Sequence, residues 1–313
     1  MNIIHLPSQA PLPESVRHAV VAIGNFDAVH RGHQDLLAYA RKQADAAHVA
    51  LAVLTFEPHP RRVFRPDDPP FRVTPLDLKI ERLQRAGVDH VYVCAFDWNL
   101  AGLSPDAFIT TILKDQLTPH SLVIGQDFHF GHNRAGQADL LRHHGYVVEN
   151  LSLKTDMHRA VISATRVRGA IQAGHMDEAN DLLGWDWEIR GTVGHGDKRG
   201  RTIGYPTANV PLGETIHPSY GVYATWVRVA GEATWHMAAT NIGIRPMFEV
   251  PTGLIEAHIL DFSADLYGKP LCIRPVQKIR DEMKFDSLDA LIAHIAKDCD
   301  MTRQLMTRPR KEQ

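Results

Sequence analysis

Ten consecutive residues, Gly24-Asn25-Phe26-Asp27-Ala28-Val29-His30-Arg31-Gly32-His33, decide the fold of this chain. They follow a short apolar, β-branched run at residues 19–23, which is typical of a buried parallel strand. They precede residues 34–47, which contain neither Gly nor Pro and carry apolar side chains at helical spacing. The ten residues are therefore predicted to form the turn between a strand and a helix.

The composition of this turn is that of an anion-binding site. Gly24 and Gly32 allow a positive φ or a close approach of the backbone. Free amides and the positive end of the helix dipole attract negative charge. His30 and His33 lie three residues apart at the start of the helix, so their imidazoles would converge on the same anion. The turn therefore predicts phosphate chemistry.

Two other interpretations of the histidine pair stay open from the residues alone. The chain contains 19 histidines, so a His-x-x-His pair can arise by chance and lie on the surface. Imidazoles at positions i and i+3 can also share a zinc ion. No cluster of thiolates or carboxylates follows in the nearby sequence to complete a zinc site, which makes zinc the weaker interpretation.

The full pattern Gly-x-Phe-Asp-x-x-His-x-Gly-His behind a strand is more specific than two histidines. It resembles the signature of the nucleotidylyltransferase superfamily, whose two histidines hold the phosphates of ATP. The resemblance implies that His30 and His33 are catalytic. It also implies that ATP is bound by four further residues of the turn: Gly24, Phe26, Asp27 and Gly32.

The overall composition is that of an ordinary globular chain with room for two domains. The chain has 313 residues, of which 44% are hydrophobic and 22% are charged. Its net charge is -2 and its pI about 6.8, so no general basic field predicts nucleic-acid binding. We expect small-molecule partners instead, and the composition sets no oligomeric state.

The cysteines and the N-terminal residues predict a cytoplasmic location. Three widely separated cysteines argue against a disulfide framework and for a reducing compartment. The first residues lack the charged and apolar regions of a signal peptide. No apolar run approaches the roughly 20 residues that a membrane-spanning helix needs, so we expect no membrane segment.

Strand and helix patterns alternate from residue 20 to about residue 183, which predicts an α/β domain with a mostly parallel, Rossmann-like sheet. Further strands are expected at residues 49–56, 91–96 and 122–124. Thr74-Pro75 is predicted to cap a helix that carries Ile80, Leu83 and Ala86 inward. Ser104-Pro105 predicts the next helix in the same way. Because ligands bind at the carboxyl ends of parallel strands, the segments after residues 23, 56 and 124 can enclose one site.

Residues 162–168, Ile-Ser-Ala-Thr-Arg-Val-Arg, precede a predicted helix at residues 169–173. Ser163 and Thr165 can simply cap that helix. Alternatively, the hydroxyls and the two guanidiniums can bind phosphate, to which arginine is suited. The stretch resembles the superfamily motif Ile-Ser-Ser-Thr-x-x-Arg with Ala164 in place of the second serine. That resemblance implies ATP binding by Ser163 and Thr165 and a catalytic role for Arg168.

Two further stretches narrow the resemblance of the first domain to the FMN adenylyltransferase module of the bacterial bifunctional riboflavin kinase/FAD synthetases. They are Phe56-Glu57-Pro58-His59-Pro60 and Gly125-x-Asp127-Phe128-x-Phe130-Gly131. Ala28 stands where that family usually has glycine, and a positive φ there would cost alanine about 1 kcal/mol. The resemblance implies that five residues bind the flavin: Asn25, Phe56, Pro58, Asp127 and Phe128.

The texture of the sequence changes after Gly184, which predicts domains at residues 1–184 and 185–313. The second part shows short β-like runs split by Gly and Pro, typical of an antiparallel barrel. Strands are predicted at residues 188–193, 221–229, 234–241, 255–262 and 271–279. A terminal helix at residues 287–306 is expected to bury one apolar face, formed by Leu288, Leu291, Ile292 and Ile295.

Residues 194–209 combine four glycines with three cations within eleven positions. They can form a flap whose amides and charges surround phosphates, or a plain hairpin loop. The stretch resembles the riboflavin kinase motif Gly-Asp-x-x-Gly-Arg-x-x-Gly-Phe/Tyr-Pro-Thr-Ala-Asn. The resemblance implies that Thr207 and Asn209 bind Mg²⁺. It also implies that five residues bind the ATP phosphates: Gly196, Lys198, Gly200, Arg201 and Gly204.

Glu256, in Leu254-Ile255-Glu256-Ala257-His258, aligns with the catalytic glutamate of the riboflavin kinases. A carboxylate there can accept the proton of the riboflavin 5′-hydroxyl. Met247 departs from that family, which usually has threonine at this position. The whole resemblance implies phosphorylation of riboflavin to FMN by ATP and adenylylation of FMN to FAD with release of pyrophosphate.

Two other functions stay open from the sequence. Only one half can be active, since Ala28 and Ala164 would weaken the adenylyltransferase and Met247 the kinase. The chain can instead be a flavin- or nucleotide-binding regulator without turnover, although both predicted catalytic sets are intact. Class I aminoacyl-tRNA synthetases share a similar histidine motif, but this sequence lacks their second, lysine-rich signature.

Overall fold

The computed structural model describes residues 1–195, 199–245 and 252–306. The chain separates into two compact units. The first comprises Met1–Pro69 and Thr74–Ser163, and the second comprises Pro70–Val73 and Ala164–Gln313. Within the described ranges, no helix combines the length and the apolar character that a bilayer crossing requires.

The first unit is built on a six-stranded sheet in the order β1-β4-β3-β2-β5-β6. All five strand pairings are parallel, which confirms the predicted α/β fold. The edge strands β1 and β6 were not predicted, because both carry exposed or polar residues. The strands are β1 (Asn2–Leu6), β2 (Val20–Ile23), β3 (Leu51–Glu57), β4 (His90–Ala95), β5 (Ser121–Gly125) and β6 (Val148–Leu151).

Helices cover both faces of this sheet. The alternating residues of β2 show the arrangement, since Val20 and Ala22 join one apolar cluster with α1 and Val21 and Ile23 join another with α5. The helices are α1 (Arg31–Ala47), α2 (Pro60–Phe64), α3 (Leu76–Arg85), α4 (Trp98–Gly102), α5 (Pro105–Phe108, continued as a π-helix over Ile109–Leu117) and α6 (Ala138–His143).

Helix α3 begins and packs differently from the prediction. It starts at Leu76, and Thr74 provides no cap because its hydroxyl bonds to Asp27 instead. Of the three residues predicted to point inward, only Leu83 is buried, whereas Ile80 and Ala86 are half-buried. The buried face consists of Leu78, Lys79, Arg82 and Leu83. Two of these buried residues, Lys79 and Arg82, are cations, so the inward face of α3 is not the apolar stripe that the sequence predicted.

The second unit contains a six-stranded antiparallel sheet in the order β7-β12-β9-β10-β11-β8. A backbone bridge between Gly194 and Asn209 joins the segment after β7 to β8, so the sheet nearly closes into the predicted barrel. Strand β8 was not predicted, because it lies within the glycine-rich motif. The strands are β7 (Ile189–Thr192), β8 (Ala208–Pro211), β9 (Gly221–Val229), β10 (His236–Arg245), β11 (Thr252–Ile259) and β12 (Pro270–Arg280).

Four helices accompany the barrel in the second unit: α7 (Ala164–Ala173), α8 (Met176–Leu183), α9 (Arg199–Thr202) and α10 (Leu288–Met306). Helix α8 ends at Gly184, whose φ is 75°. Both α7 and α8 pack within this unit, although the texture of the sequence assigned them to the first domain. The boundary between the two functional domains, expected at residues 184 and 185, stays a prediction.

The terminal helix α10 attaches to the barrel through an ion pair and through its second half. The Arg280 guanidinium donates to both carboxylate oxygens of Asp298, at 2.8 to 3.2 Å, and both groups are largely buried. Cys299 and Ile295 pack in a small apolar cluster with barrel residues. The predicted apolar face is wrong at its start, since Leu288 is 57% exposed.

The turn between β2 and α1 has an unusual backbone. Three non-glycine residues adopt a positive φ: Phe26 at 48°, Ala28 at 77° and Val29 at 39°. Ala28 is also fully buried. A residue with a Cβ pays a steric cost at a positive φ. Ala28 therefore has the backbone conformation for which the sequence analysis expected such a cost.

We predict that Ala28→Gly raises the free energy of unfolding of the first unit by about 1 kcal/mol, because glycine lacks the Cβ that is strained at positive φ. The matched control is Ala38→Gly on the exposed side of α1, which should lower the free energy of unfolding by about 1 kcal/mol. Urea denaturation of the two variants measures both effects. A loss of stability in Ala28→Gly equal to that of the control would contradict the strain argument.

Candidate active sites

The paired histidines lie at the carboxyl end of β2, where helix α1 begins. His30 is the N-cap residue of α1, and its Nδ1 accepts a hydrogen bond from the backbone amide of His33 at 3.3 Å. The two imidazoles stack with their centroids 3.7 Å apart and their planes 15° apart. The structure therefore brings the predicted pair together at a helix N-terminus.

The two glycines of the turn make room for these rings. A Cβ on Gly32 would lie 3.2 Å from the His30 ring, and one on Gly24 would lie 3.3 Å from the Phe26 ring. Phe26 in turn packs against His33 with ring centroids 4.9 Å apart. Both glycines thus serve a close approach of rings, while the positive φ angles fall on their neighbours.

His33 is an imidazole held in its neutral form. Burial lowers its pKa well below 6.5, and the nearby His30 and Lys79 lower it further. Among the described residues, its Nδ1 has no hydrogen-bond partner although the atom is buried. A buried nitrogen without a partner is costly unless a ligand completes the site.

Asp27 holds the backbone of the turn in place. Its Oδ1 accepts hydrogen bonds from the Ala28 amide at 3.1 Å and from the Thr74 amide and hydroxyl at 2.9 and 3.0 Å. The Ala28 amide also donates to Thr74 Oγ1 at 2.9 Å. Asp27 is buried, so these bonds form away from water. Contact between Asp27 and phosphate stays a prediction.

A second set of polar contacts, formed by Lys79 and Thr55, supports the turn. It was not predicted from the sequence. Lys79 of α3 is fully buried, with its Nζ 3.3 Å from Thr55 Oγ1 and 3.7 Å from Glu57 Oε2. The Thr55 hydroxyl donates to the carbonyl oxygen of Asn25 at 3.0 Å. The one sequence signal was a lysine four residues before Leu83, on the inward side of the helix.

Aromatic side chains form a continuous series at the carboxyl ends of β3 and β4. Phe56 contacts Phe96, which contacts Phe64, which contacts Trp98, with ring centroids 5.5 to 6.0 Å apart. Phe64 and Trp98 are 52% and 67% exposed. Exposed neighbouring aromatic rings can stack on a planar ligand. The sequence reasoning named Phe56 but missed the other three.

The remaining predicted flavin residues lie on the same edge of the sheet. Pro58 is exposed and follows β3, and Asn25 is half-buried in the turn after β2. Asp127 is exposed in the segment after β5. Phe128 stacks on Phe130 with ring centroids 5.8 Å apart. The three segments therefore emerge from one sheet edge, as expected for β2, β3 and β5.

The predicted motif at residues 162–168 divides between the two units. Ser163 is half-buried and ends the first unit, and Thr165 is exposed in the first turn of α7. Helix α7 begins five residues earlier than predicted, at Ala164. Arg168 Nε donates to the carbonyl oxygen of Phe71 at 2.9 Å within the second unit. A phosphate role for these residues stays a prediction.

The second predicted site lies on adjacent barrel strands. Glu256 of β11 pairs with Asn209 of β8 on one side and with Asn241 of β10 on the other. Directly paired residues share a face of the sheet, so the carboxylate lies between two amide side chains. Glu256 itself is half-buried and therefore accessible. Asn241 was not among the predicted residues.

Asn209 presents an unpaired oxygen. Its Nδ2 donates to the Thr207 carbonyl oxygen at 3.3 Å, whereas its buried Oδ1 has no hydrogen-bond partner among the described residues. An amide oxygen fixed in this way is a suitable ligand for a hard cation, and the neighbouring Thr207 adds a hydroxyl. The donor set thus fits Mg²⁺.

The glycine-rich stretch is partly described. A Cβ on Gly200 would overlap the Tyr205 carbonyl oxygen, and Gly204 has a φ of 85°, so both positions require glycine. The Tyr205 amide donates to the Gly200 carbonyl oxygen at 2.8 Å, which closes the turn before Thr207. Gly196, Lys198, the side chain of Arg201 and Met247 lie outside the described residues.

Two family models match the chain in succession. The model described as FAD synthetase matches residues 12–166, and the model described as riboflavin kinase matches residues 183–306. The first match covers the histidine turn, and the second covers Thr207, Asn209 and Glu256. Both domain types are therefore present in this chain.

Curated relatives match almost the whole length. The bifunctional riboflavin kinase/FMN adenylyltransferase of Escherichia coli K12 is 41% identical over 298 residues, which is 94% of each chain. The protein of the same name from Bacillus subtilis is 37% identical and covers 95% of this chain and 96% of its own. A solved structure titled as a macrolide-efflux protein from Streptococcus pneumoniae is 32% identical, with a TM-score of 0.86 over 97% of this chain and 99% of its own.

Two family models match successive parts of the chain, and curated relatives align with nearly its whole length. Both predicted sets of catalytic residues are present in the sequence. This chain belongs to the family of bifunctional riboflavin kinase/FMN adenylyltransferases.

Proposed function

We propose that this chain makes FAD from riboflavin in two ATP-dependent steps, one in each half. The half at residues 185–313 transfers the γ-phosphoryl group of ATP to riboflavin and releases ADP. The half at residues 1–184 joins the resulting FMN to AMP from a second ATP and releases pyrophosphate. One observation carries the proposal: each half holds, within its nucleotide motif, a buried polar atom that no described residue hydrogen-bonds. These atoms are His33 Nδ1 and Asn209 Oδ1.

The kinase step requires a base for the riboflavin hydroxyl. Glu256 is half-buried between Asn209 and Asn241, so it can approach a ligand on the barrel surface. Its carboxylate accepts the proton of the 5′-hydroxyl while that oxygen attacks the γ-phosphorus and the β,γ-bridging oxygen leaves with ADP. The ATP phosphates of this step are assigned, by the riboflavin kinase motif, to five residues: Gly196, Lys198, Gly200, Arg201 and Gly204.

Thr207 and Asn209 would hold the Mg²⁺ of this step through their side-chain oxygens. The unpaired Oδ1 of Asn209 supports this assignment, because oxygen ligands suit this cation. When bound, Mg²⁺ neutralises the charge that develops on the phosphates. The hydrogen bond from Asn209 Nδ2 to the Thr207 carbonyl oxygen fixes the orientation of the Asn209 amide.

The adenylyl transfer needs no protein nucleophile. An oxygen of the FMN phosphate attacks the α-phosphorus of ATP, and the α,β-bridging oxygen leaves with pyrophosphate. Catalysis is then alignment and charge stabilisation. His30 and His33 stabilise the charge at the start of α1, together with Gly24, Phe26, Asp27 and Gly32. Ser163, Thr165 and Arg168 contribute from the following motif, with Arg168 at the leaving group.

The aromatic series at the sheet edge supports the flavin subsite of this half. The exposed rings of Phe64 and Trp98 continue outward from Phe56, and an isoalloxazine ring can stack on such a surface. Asn25, Pro58, Asp127 and Phe128 emerge from the same edge. We further propose a cytoplasmic location and small molecules, rather than nucleic acid, as partners.

Loss of one activity is the alternative that the structure brings into focus. The Ala28 strain falls on the histidine turn, so it would weaken FAD formation rather than FMN formation. A regulator without turnover would bind the same ligands and form neither product. Incubation with riboflavin, ATP and Mg²⁺, followed by chromatography of the flavins, distinguishes these cases.

The titration of His33 provides a prediction about the histidine turn. Because burial lowers its pKa, His33 should remain neutral at pH 6.5 without nucleotide, and bound ATP should raise its pKa by favouring the imidazolium. Imidazole NMR signals, assigned with a His33→Gln variant, measure both values. A His33 that titrates at or above pH 6.5 in the free protein would contradict the assignment.

Two substitutions separate the halves. His33→Ala should lower FAD formation from FMN about 10²- to 10³-fold and leave FMN formation from riboflavin unchanged, because it removes charge stabilisation from one site. Glu256→Gln should suppress FMN formation by about 10²-fold or more and spare FAD formation from FMN. Each variant is the folding control of the other. Parallel loss of both activities in either variant would refute the assignment of the halves.

The cation site has its own test. Thr207→Val and Asn209→Leu should each raise the Mg²⁺ concentration for half-maximal FMN formation by about tenfold or more, because each removes one oxygen ligand. Thr234→Val, in an exposed loop of the same unit, is the matched control. Unchanged Mg²⁺ dependence in both variants would remove these residues from the metal site.

A further inference from the structure

Lys79 is a buried cation that the proposed mechanism does not use. It belongs to the inward face of α3 and is fully buried. Its Nζ lies 3.3 Å from Thr55 Oγ1 and 3.7 Å from Glu57 Oε2. Thr55 and Glu57 lie at the carboxyl end of β3, on the edge from which the site segments emerge.

The hydrogen bonds that start at Lys79 have a defined direction. An ammonium group has only protons to donate, so Thr55 Oγ1 must accept from it. The hydroxyl proton of Thr55 is therefore available for the Asn25 carbonyl oxygen, which lies 3.0 Å away. A charged donor at the start of such a chain strengthens the bonds that follow.

This chain of bonds ends in the histidine turn. Asn25 is the second residue of the turn. Three residues with a positive φ follow it: Phe26, Ala28 and Val29. Asp27 and Thr74 hold the other side of the turn. Thr55 thus ties the carboxyl end of β3 to the turn after β2, and Lys79 anchors Thr55 from α3.

A purely structural role explains this lysine poorly. Fully buried lysines are rare, and an apolar side chain of similar length would fill the same space without the desolvation of a charge. A cation at this position also adds positive charge near His33, whose pKa is lowered mainly by burial, then by His30 and least by Lys79. Fixed positive charge is useful where phosphates react.

We propose that Lys79 is a positioning residue for adenylyl transfer, which acts through Thr55 to hold the turn that carries His30 and His33. The inference rests on the proposed adenylyltransferase function of the first half. FAD formation by the unsubstituted chain tests that function separately. Only the comparison of variants tests Lys79.

The experiment compares four variants by steady-state formation of FAD from FMN and ATP. Lys79→Met should lower kcat/KM about 10²-fold, mainly through kcat, because a displaced histidine turn is costly in the transition state. Thr55→Val, which keeps the lysine, should lower it about tenfold. The double variant should be no worse than Lys79→Met, since both act along one route. Lys79→Arg, which keeps the charge and its donors, should restore most of kcat.

The matched control and the second activity guard against a loss of folding. Lys42→Met, on the exposed side of α1, should leave FAD formation unchanged. FMN formation from riboflavin by every variant reports on the other half of the same chain. If Lys79→Met lowers the unfolding midpoint, the kcat/KM of Thr55→Val for FAD formation decides whether Lys79 acts through Thr55.

Four results would overturn the proposal, and three of them compare the variants. They are FAD formation within twofold of the unsubstituted chain in Lys79→Met or in Thr55→Val, additive losses in the double variant, and an equal loss in Lys79→Arg and Lys79→Met. An increase confined to KM would also overturn it, because it would assign Lys79 to ground-state binding.

Discussion

The Asp27 carboxylate is the interaction on which the first half depends. Its Oδ1 accepts hydrogen bonds from the Ala28 amide and from both donors of Thr74. These bonds hold the turn at positive φ angles that its three non-glycine residues would otherwise avoid. Without that constraint, the turn would relax and His30 would lose its place as the cap of α1. The stacked imidazoles are thus a product of backbone geometry, which buried hydrogen bonds enforce from two sides.

The second half reaches a comparable result by different means. Its polar residues stand on neighbouring strands whose register sets their positions, so no strained turn is needed to bring them together. The nitrogen of the Asn209 amide is fixed to the adjacent backbone, and the part of the chain that the structure describes offers no partner to its oxygen. Both halves therefore present a buried polar atom within a nucleotide motif, one at a helix end and one on a sheet.

The sequence predicted the fold well and proposed site residues that lie in the expected segments, and its failures have physical causes. Alternating apolar runs revealed β2, β3, β4 and β5, whereas the edge strands lack such runs. Local motifs revealed His30, His33 and Glu256. The support groups Thr74, Thr55 and Lys79 stayed hidden, because their partners are distant in sequence and a buried lysine breaks the expected apolar stripe. The φ of Ala28 became known only from the backbone.

The register of the barrel has a consequence for how the second half acquires activity. Glu256 shares a face with Asn209 and Asn241 only in the observed pairing, and a slip by one residue would turn its side chain to the opposite face. A half with a misaligned β11 would then be compact yet lack the proposed base at its site. Phosphoryl transfer by this half therefore serves as a reporter of correct strand alignment during refolding, more discriminating than any measure of compactness.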